Sequence, residues 1–366
     1  MKRKCKKIDI TNCEYIFECI TDWYEHRTKR QREKKEVREL LDKYSFKELA
    51  KILHSEIVNR KLNVKPVRIV SIIDNSNGKP RDLTIEEPKR QIYNYIASNA
   101  LTELQTRCGF YQINMRSHGS PLTACKVVKG WMNDKNIKFV AQLDIRKCYP
   151  SITRENMMKW LRNHIKNDTL LWLIDELLKA TECLSIGSFL SIRLCGLYLS
   201  DAYHYIDSHF DTFRRNKKVK TIKHKLFFLD DIFLFGSNAR QLTKAVRDII
   251  CYFETIGLHI KSDWKMICLK QNRKNTHIDI LGYKTYHNRV TMRRRDYLKT
   301  KKSLRSFKKQ PNFKNAQGYI SHYGLFLKHT NSVKFREKYN ADKYYSLARK
   351  VVSEHDRTCN VLRTTV

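Results

Sequence analysis

The stretch LFFLDDIFLFG, Leu226 to Gly236, sets two adjacent acids between two apolar, strand-like halves. An ionised carboxylate taken out of water must be paired, protonated or bound to a cation, and Asp230 and Asp231 also repel each other. A divalent cation answers both problems, most completely with a third carboxylate from elsewhere. KFVAQLD supplies one: an apolar strand that stops at Asp144. Read alone, the Asp-Asp pair fits a tight hairpin turn as well as it fits a metal site.

Outward from this hairpin the chain alternates helical and extended patterns. Residues 1–62 are lysine-rich and helical, notably Arg27 to Leu41 and Ser45 to Asn59, where Ser45 and Glu48 form a capping-box pattern. VRIVSII from Val67 and RDLTI from Arg81 flank turn chemistry at Asn75 to Pro80, which predicts a hairpin. Helical spacing follows at Glu87 to Gln105 and Pro121 to Asn133, and again from Ser185 to Phe210 after a glycine turn. A helix at Asn238 to Ile256, a short strand near Leu258 and a strand pair at Ile278 to Tyr286 and Asn288 to Met292 complete a mixed region. Beyond Arg293 the chain is basic and helical to about Ser353, with a loose tail expected after it.

The 366 residues carry 73 Lys plus Arg against 37 Asp plus Glu, a net charge of +36. A field of that size calls for a polyanion, and nucleic acid is the expected partner. No apolar run approaches the roughly 18 residues needed to span a bilayer. The basic start is followed at once by acids, unlike a signal peptide, so a cytoplasmic protein without membrane contact is expected. The 11 cysteines form no C-x-x-C pair and no Cys/His cluster, which predicts reduced, mostly buried thiols rather than a zinc site or disulfide framework.

In order along the chain, several segments resemble the boxes of reverse transcriptases. FLDD at Phe228 to Asp231 resembles their Y-x-D-D box, and LDIRKCYPSI at Leu143 to Ile152 resembles their first catalytic box. IGSFLSIRLCGLYLSDAYHYID resembles the glycine turn and helix between the two, and GLHIKSDWK the segment behind the catalytic hairpin. LGY, Leu281, Gly282 and Tyr283, resembles the primer grip. Upstream, NGKPRDLTIEEPKRQIYNYI resembles the fingers hairpin, and MRSHGSPLTA the box after it. The thumb segment ISHYGLFLKHTNSVKFREKY is similar to that of bacterial and phage diversity-generating-retroelement enzymes and related unclassified lineages. The chain departs from them at Ile192, where they have glutamine, and at Phe228 and Leu229.

The resemblance implies an α+β right-hand polymerase: fingers, a palm with an antiparallel sheet, and a helical thumb behind a helical N-terminal extension. Its expected boundaries are 1–62 for the extension, 63–137 for the fingers and 138–290 for the palm, with a fingers insertion at about 153–184. The thumb takes 291–353 and the loose tail 354–366. It implies an RNA-directed DNA polymerase, bacterial or phage-encoded, that adds dNTPs to a primer 3′-hydroxyl on an RNA template. A catalytically silent, maturase-like RNA-binding protein and a phage-defence enzyme are the alternatives.

By the same resemblance Asp144, Asp230 and Asp231, with the Ile145 carbonyl, hold two magnesium ions, for which manganese can substitute. Lys79, Arg81 and Arg116 contact the incoming nucleotide, Tyr149 selects its sugar, and Gly187, Ser188 and Ser191 lie near the nascent pair. Lys261 or Lys265 is the candidate general acid. Arg293, Arg294, Arg295, Lys301, Lys302, Arg305 and Lys328 track the hybrid's backbone, while Tyr319, Tyr323 and Phe326 are expected as thumb core. A structured noncoding RNA and a small basic accessory protein are further possible partners.

Overall fold

The computed structural model describes residues 3–73, 78, 80–115, 119–214, 217–269 and 276–364, with backbone only at 212–214, 217–218 and 356–364. The chain opens with helices α1 (Cys13–Glu25), α2 (Lys29–Arg32), α3 (Lys35–Lys43) and α4 (Phe46–Val58). The hairpin β1 (Arg68–Ile73) and β2 (Pro80–Ile85) leads into α5 (Pro88–Ala100) and, after two short 3-10 turns, α6 (Pro121–Met132). Strand β3 (Phe139–Asp144) is followed by α7 (Cys148–Ser151), α8 (Arg154–His164), α9 (Asp168–Leu178) and the long α10 (Phe189–His209). Then come β4 (Asp211–Arg214), β5 (Lys217–Lys220), β6 (His224–Phe228), β7 (Asp231–Gly236), α11 (Ala239–Thr255) and β8 (Lys265–Cys268). Strands β9 (Ile278–Ile280), β10 (Tyr283–Thr285) and β11 (Val290–Met292) precede α12 (Arg294–Lys309), α13 (Phe313–Leu325), α14 (Val333–Tyr339) and α15 (Ala341–Thr364). No helix among the described residues is long and apolar enough to cross a membrane.

The main sheet has the order β6-β7-β3-β8. Its inner strands are the apolar runs of the sequence: Val140, Ala141 and Leu143 of β3 and Ile232 to Phe235 of β7 are all buried. Strands covered on both faces read as continuous apolar stretches, which is why FVAQLD and DIFLFG lack alternation.

The chain divides into two compact units. The first takes residues 1–117, 141–234 and 239–265. Its helical half is a core of Ile16, Ile20 and Trp23 from α1 with Leu53 and Ile57 from α4, packed on Ile92, Tyr93 and Ile96 of α5. Polar bonds tie the same helices: Tyr15 donates to the Ile96 carbonyl at 2.9 Å, and Tyr93 donates to the Glu56 carboxylate at 2.7 Å. Residues 1–62 therefore belong to the same unit as α5. The predicted capping box forms at α4, with Ser45 and Glu48 bonded reciprocally.

Where the sequence predicts one helix from Arg27 to Leu41, the structure has two, broken at Glu33 and Lys34. Five cations fall between Arg27 and Lys34, where like charges three and four apart oppose a continuous helix. Arg32 instead turns back to the carbonyls of Tyr24 and Glu25, at 3.1 Å each. The strand expected near Leu258 is only an isolated bridge between Ile260 and Ile145.

The second unit takes residues 118–140, 235–238 and 266–366. Its small sheet, β11-β10-β9, packs against α6, whose Lys129 and Asn133 bond to the carbonyls of Asn288 and His287 at 3.3 and 3.0 Å. The expected boundaries group α6 with the fingers; the structure groups it with this sheet, because its apolar side is covered there. Phe307, Tyr319, Tyr323 and Leu327 build the helical core, with Phe326 packed against it. Tyr319 and Tyr323 donate to the Ala341 carbonyl and the Asp342 carboxylate at 2.8 and 2.7 Å, which fastens α13 to α15. Helix α15 runs to Thr364, so the loose tail expected from residue 354 is helical instead.

Candidate active site

The carboxylates sit on adjacent strands of the first unit. Asp144 closes β3, while Leu229 and Asp230 form the turn between β6 and β7. Leu229 adopts φ +52°, a left-handed conformation that costs a residue with a Cβ roughly 1–2 kcal/mol. Neighbouring segments hold the turn: the Ile145 N–H donates to the Asp230 carbonyl at 3.1 Å, and the Leu229 N–H donates to Asn114 Oδ1 at 3.3 Å. Nothing in the sequence marks Asn114, since a lone Asn belongs to no motif or period.

The segment behind the hairpin runs beside Asp144. Arg146 N–H donates to the His259 carbonyl at 2.7 Å, and Lys261 N–H donates to the Asp144 carbonyl at 2.9 Å. The Lys261 ammonium stands 2.7 Å from Asp144 Oδ1, an atom that is buried and accepts no hydrogen bond of good geometry. An ammonium thus stands where this oxygen would meet a bound cation. Lys265, the other candidate acid, is exposed at the start of β8 and makes no ion pair among the described residues.

Asp230 is electrostatically coupled to this pair. Burial pushes its carboxyl above the ordinary carboxylate range and the charge of Asp144 pushes it further, while Lys261 and Arg81 pull it down. Arg81, on β2, is therefore near enough for its charge to reach Asp230. Tyr149 is near as well: burial is the main cause that raises its hydroxyl's pKa, with Cys195, Cys148 and Asp230 adding to it. The chain reaches Tyr149 through Lys147, whose φ of +48° turns it from β3 into α7.

Among the described residues no group of three or more His, Cys, Asp or Glu side chains gathers as metal ligands. Asp144 and Asp230 come together, whereas Asp231, which opens β7, does not complete a three-acid cluster. The hard oxygens of Asp144 and Asp230, one of them without a hydrogen bond, fit a divalent cation.

Other predicted residues sort by contact. Gly187, at φ +109°, lies against β2 so closely that a Cβ there would come 2.6 Å from the Thr84 carbonyl oxygen. Thr84 N–H donates to the Ile186 carbonyl at 2.8 Å. Ser191 is buried and accepts from the Ser185 N–H at 3.1 Å, and Ser188 is buried beside Glu86. Ile192 is exposed. Lys79 and Arg116 lie outside the described residues.

In the second unit, Leu281 and Gly282 turn from β9 to β10 with φ of +50° and +96°, and Tyr283 donates to the Leu325 carbonyl. Arg293 is paired with Asp279 at 2.7 Å and Arg295 with Asp296 at 3.3 Å. Arg294, Lys302, Arg305 and Lys328 are exposed, and Lys301 lies over the Tyr339 ring at 5.4 Å.

The family model described as "Reverse transcriptase (RNA-dependent DNA polymerase)" matches residues 34–285. Two curated relatives come from Saccharomyces cerevisiae. The COX1/OXI3 intron 2 protein is 25% identical over 178 residues, 43% of this chain and 20% of that protein. The COX1/OXI3 intron 1 protein is 24% identical over 187 residues, 46% of this chain and 21% of that protein. The chain thus spans about a fifth of the length of these relatives. Among solved structures, telomerase from Candida albicans in complex with a telomeric RNA fragment aligns with a TM-score of 0.43 and 12% identity, over 80% of this chain and 61% of that one.

Proposed function

Since this chain belongs to the reverse transcriptase family, we propose that it is an RNA-directed DNA polymerase, which extends a DNA primer with dNTPs on an RNA template. The observation that carries the reading is the meeting of Asp144 and Asp230 at the ends of adjacent strands, with Lys261 and Arg81 supplying compensating charge. Asp144, Asp230 and the Ile145 carbonyl would hold divalent ions, magnesium by preference or manganese, with Asp231 in support. Bound there, such ions activate the primer hydroxyl and offset charge on the leaving pyrophosphate.

The chain's own residues do the remaining work. Arg81, with Lys79 and Arg116, orients the triphosphate, a task suited to a guanidinium fork and a point charge. Tyr149 lies beneath the sugar and rejects a 2′-hydroxyl. Gly187 and Ser191 set the loop against β2 and so fix the floor near the templating base. Lys261 carries the proton that pyrophosphate needs, while Lys265 would contribute only charge. Leu281, Gly282 and Tyr283 steady the primer. Arg294, Lys302, Arg305 and Lys328, with the more engaged Arg293, Arg295 and Lys301, follow the hybrid's phosphates. We further place the protein in a bacterial or phage retroelement or defence system, where a structured noncoding RNA and a small basic protein are its partners.

Primer extension with purified protein, homopolymer RNA and magnesium tests the reading. Extension that disappears in Asp230→Ala supports it. Tight RNA binding without extension on any template or metal would instead favour a silent, maturase-like RNA binder, a reading that the intron-protein relatives favour.

A further inference from the structure

The turn between β6 and β7 carries two costs at a single contact. Leu229 holds φ +52°, and the oxygen that receives its N–H, Asn114 Oδ1, belongs to a residue 115 positions away. The other end of the same side-chain amide, Asn114 Nδ2, is buried and meets no acceptor among the described residues. A left-handed residue with a Cβ and an unpaired buried donor each cost free energy, and neither adds apolar burial. Such costs persist where the surrounding structure over-determines a conformation, and they gather at functional sites.

The segment that bears Asn114 is built to hold a position. Gln112, 1% exposed, accepts from the Gly109 N–H at 2.6 Å and donates to the Gly196 carbonyl of α10 at 3.0 Å. Met115 lies over Gly196 so closely that no Cβ would fit there. The Phe227 N–H of β6 donates to the Tyr111 carbonyl at 2.9 Å, and Gln112 bridges to Phe227, which lays the segment along that strand up to the turn. Asn114 therefore extends from a frame fixed to both α10 and β6. On the other side of the turn, the Ile145 N–H donates to the Asp230 carbonyl at 3.1 Å. The Leu229 N–H and the Asp230 carbonyl bracket the torsions that set the direction of the Asp230 carboxylate. With the Asn114 anchor removed, Leu229 relieves its strain by returning to negative φ, which rotates the peptide leading into Asp230.

We propose that Asn114 is a positioning residue for the carboxylate site: its amide oxygen keeps Leu229 left-handed and thereby aims Asp230 at the divalent cation it shares with Asp144. This role rests on the polymerase reading for the reaction but not for cation binding.

The test compares the full chain with Asn114→Ala, Leu229→Gly and both together. Glycine takes φ +52° without a Cβ clash, so Leu229→Gly removes the need for the anchor. Loss of a hydrogen bond that orients a metal ligand should weaken manganese binding in Asn114→Ala about tenfold, read by paramagnetic resonance. It should lower kcat for primer extension about 10- to 100-fold, with KM for dNTP little changed. In the Leu229→Gly background the same substitution should cost far less in both. Hydrogen exchange on the metal-free chain should show the Leu229 amide opening about fivefold faster in Asn114→Ala, as one lost hydrogen bond predicts. Asn114→Ser, whose hydroxyl ends one bond short of Leu229, serves if the alanine variant does not fold. Unchanged manganese affinity, or the same loss with and without Leu229→Gly, overturns the proposal, as does a wild type that binds no manganese. If the wild type extends no primer, yet manganese affinity depends on Asn114 and recovers with Leu229→Gly, the positioning role stands and the polymerase reading fails.

Discussion

Lys261 holds Asp144 twice: its ammonium is 2.7 Å from Oδ1, and its backbone N–H donates to the Asp144 carbonyl at 2.9 Å. The backbone bond fixes where β3 ends, and the side chain supplies positive charge beside two acids. Lys261→Met removes only the second effect. Lys261 also holds the Asp230 carboxyl down, so the acidic limb of the pH–rate profile for primer extension should move to higher pH. If Lys261 also delivers the leaving-group proton, the rate at neutral pH should fall about 100-fold, with partial recovery in Lys261→Arg. A profile that does not move would remove Lys261 from the site's electrostatics.

Asp230 is an acid whose folded pKa lies above its ordinary value of 3.8, first through burial and then through Asp144. The linked stability is complete below that ordinary value and is lost as pH rises through the folded pKa. Asp230→Asn should therefore raise the urea midpoint at pH 7 relative to the wild type, with a smaller gain at pH 4, even as it abolishes extension. An equal gain at both pH values would show that the carboxyl's ionisation costs nothing in the fold.

Gly187→Ala adds a methyl group where only 2.6 Å separates it from the Thr84 carbonyl, at a φ of +109°. The backbone strain costs about 1–3 kcal/mol before any shift of β2 is counted. Chemical denaturation should show that loss, and β2 should carry Arg81 away from Asp230, which raises KM for dNTP. Wild-type stability in the variant would mean that β2 and the Gly187 turn do not meet this closely.

Tyr319→Phe keeps the ring in the helical core of the second unit but removes its donor to the Ala341 carbonyl. The expected cost is about 1 kcal/mol, against about 3–5 kcal/mol for Tyr319→Ala, which also opens a cavity. Both should be read by thermal melting, with RNA binding at low salt retained in Tyr319→Phe. Equal losses in the two variants would indicate that packing contributes little there.

Local pattern carried much of this molecule. Apolar runs bounded by acids marked β3 and β7, Ser45 with Glu48 marked the start of α4, and the helical spacing of Tyr319 and Tyr323 marked the helical core of the second unit. These features depend on interactions within a few residues of each other, or on burial that forces a run to be apolar. The β4–β5 hairpin was not legible, since its charge run hides any alternation of polar and apolar positions.

Sequence by itself determined the chemistry: which acids exist, that one ends a strand and two interrupt a hairpin, and that +36 of charge demands a polyanion. Only the tertiary structure decided that β7 lies beside β3, so that Asp144 meets Asp230, and that Lys261 rather than Lys265 reaches them. It also decided that Gly187 faces Thr84 and that α6 packs on β9 to β11. The reason is physical: strand neighbours and ion pairs join residues far apart in the chain, and no local period records which distant partner a side chain will meet.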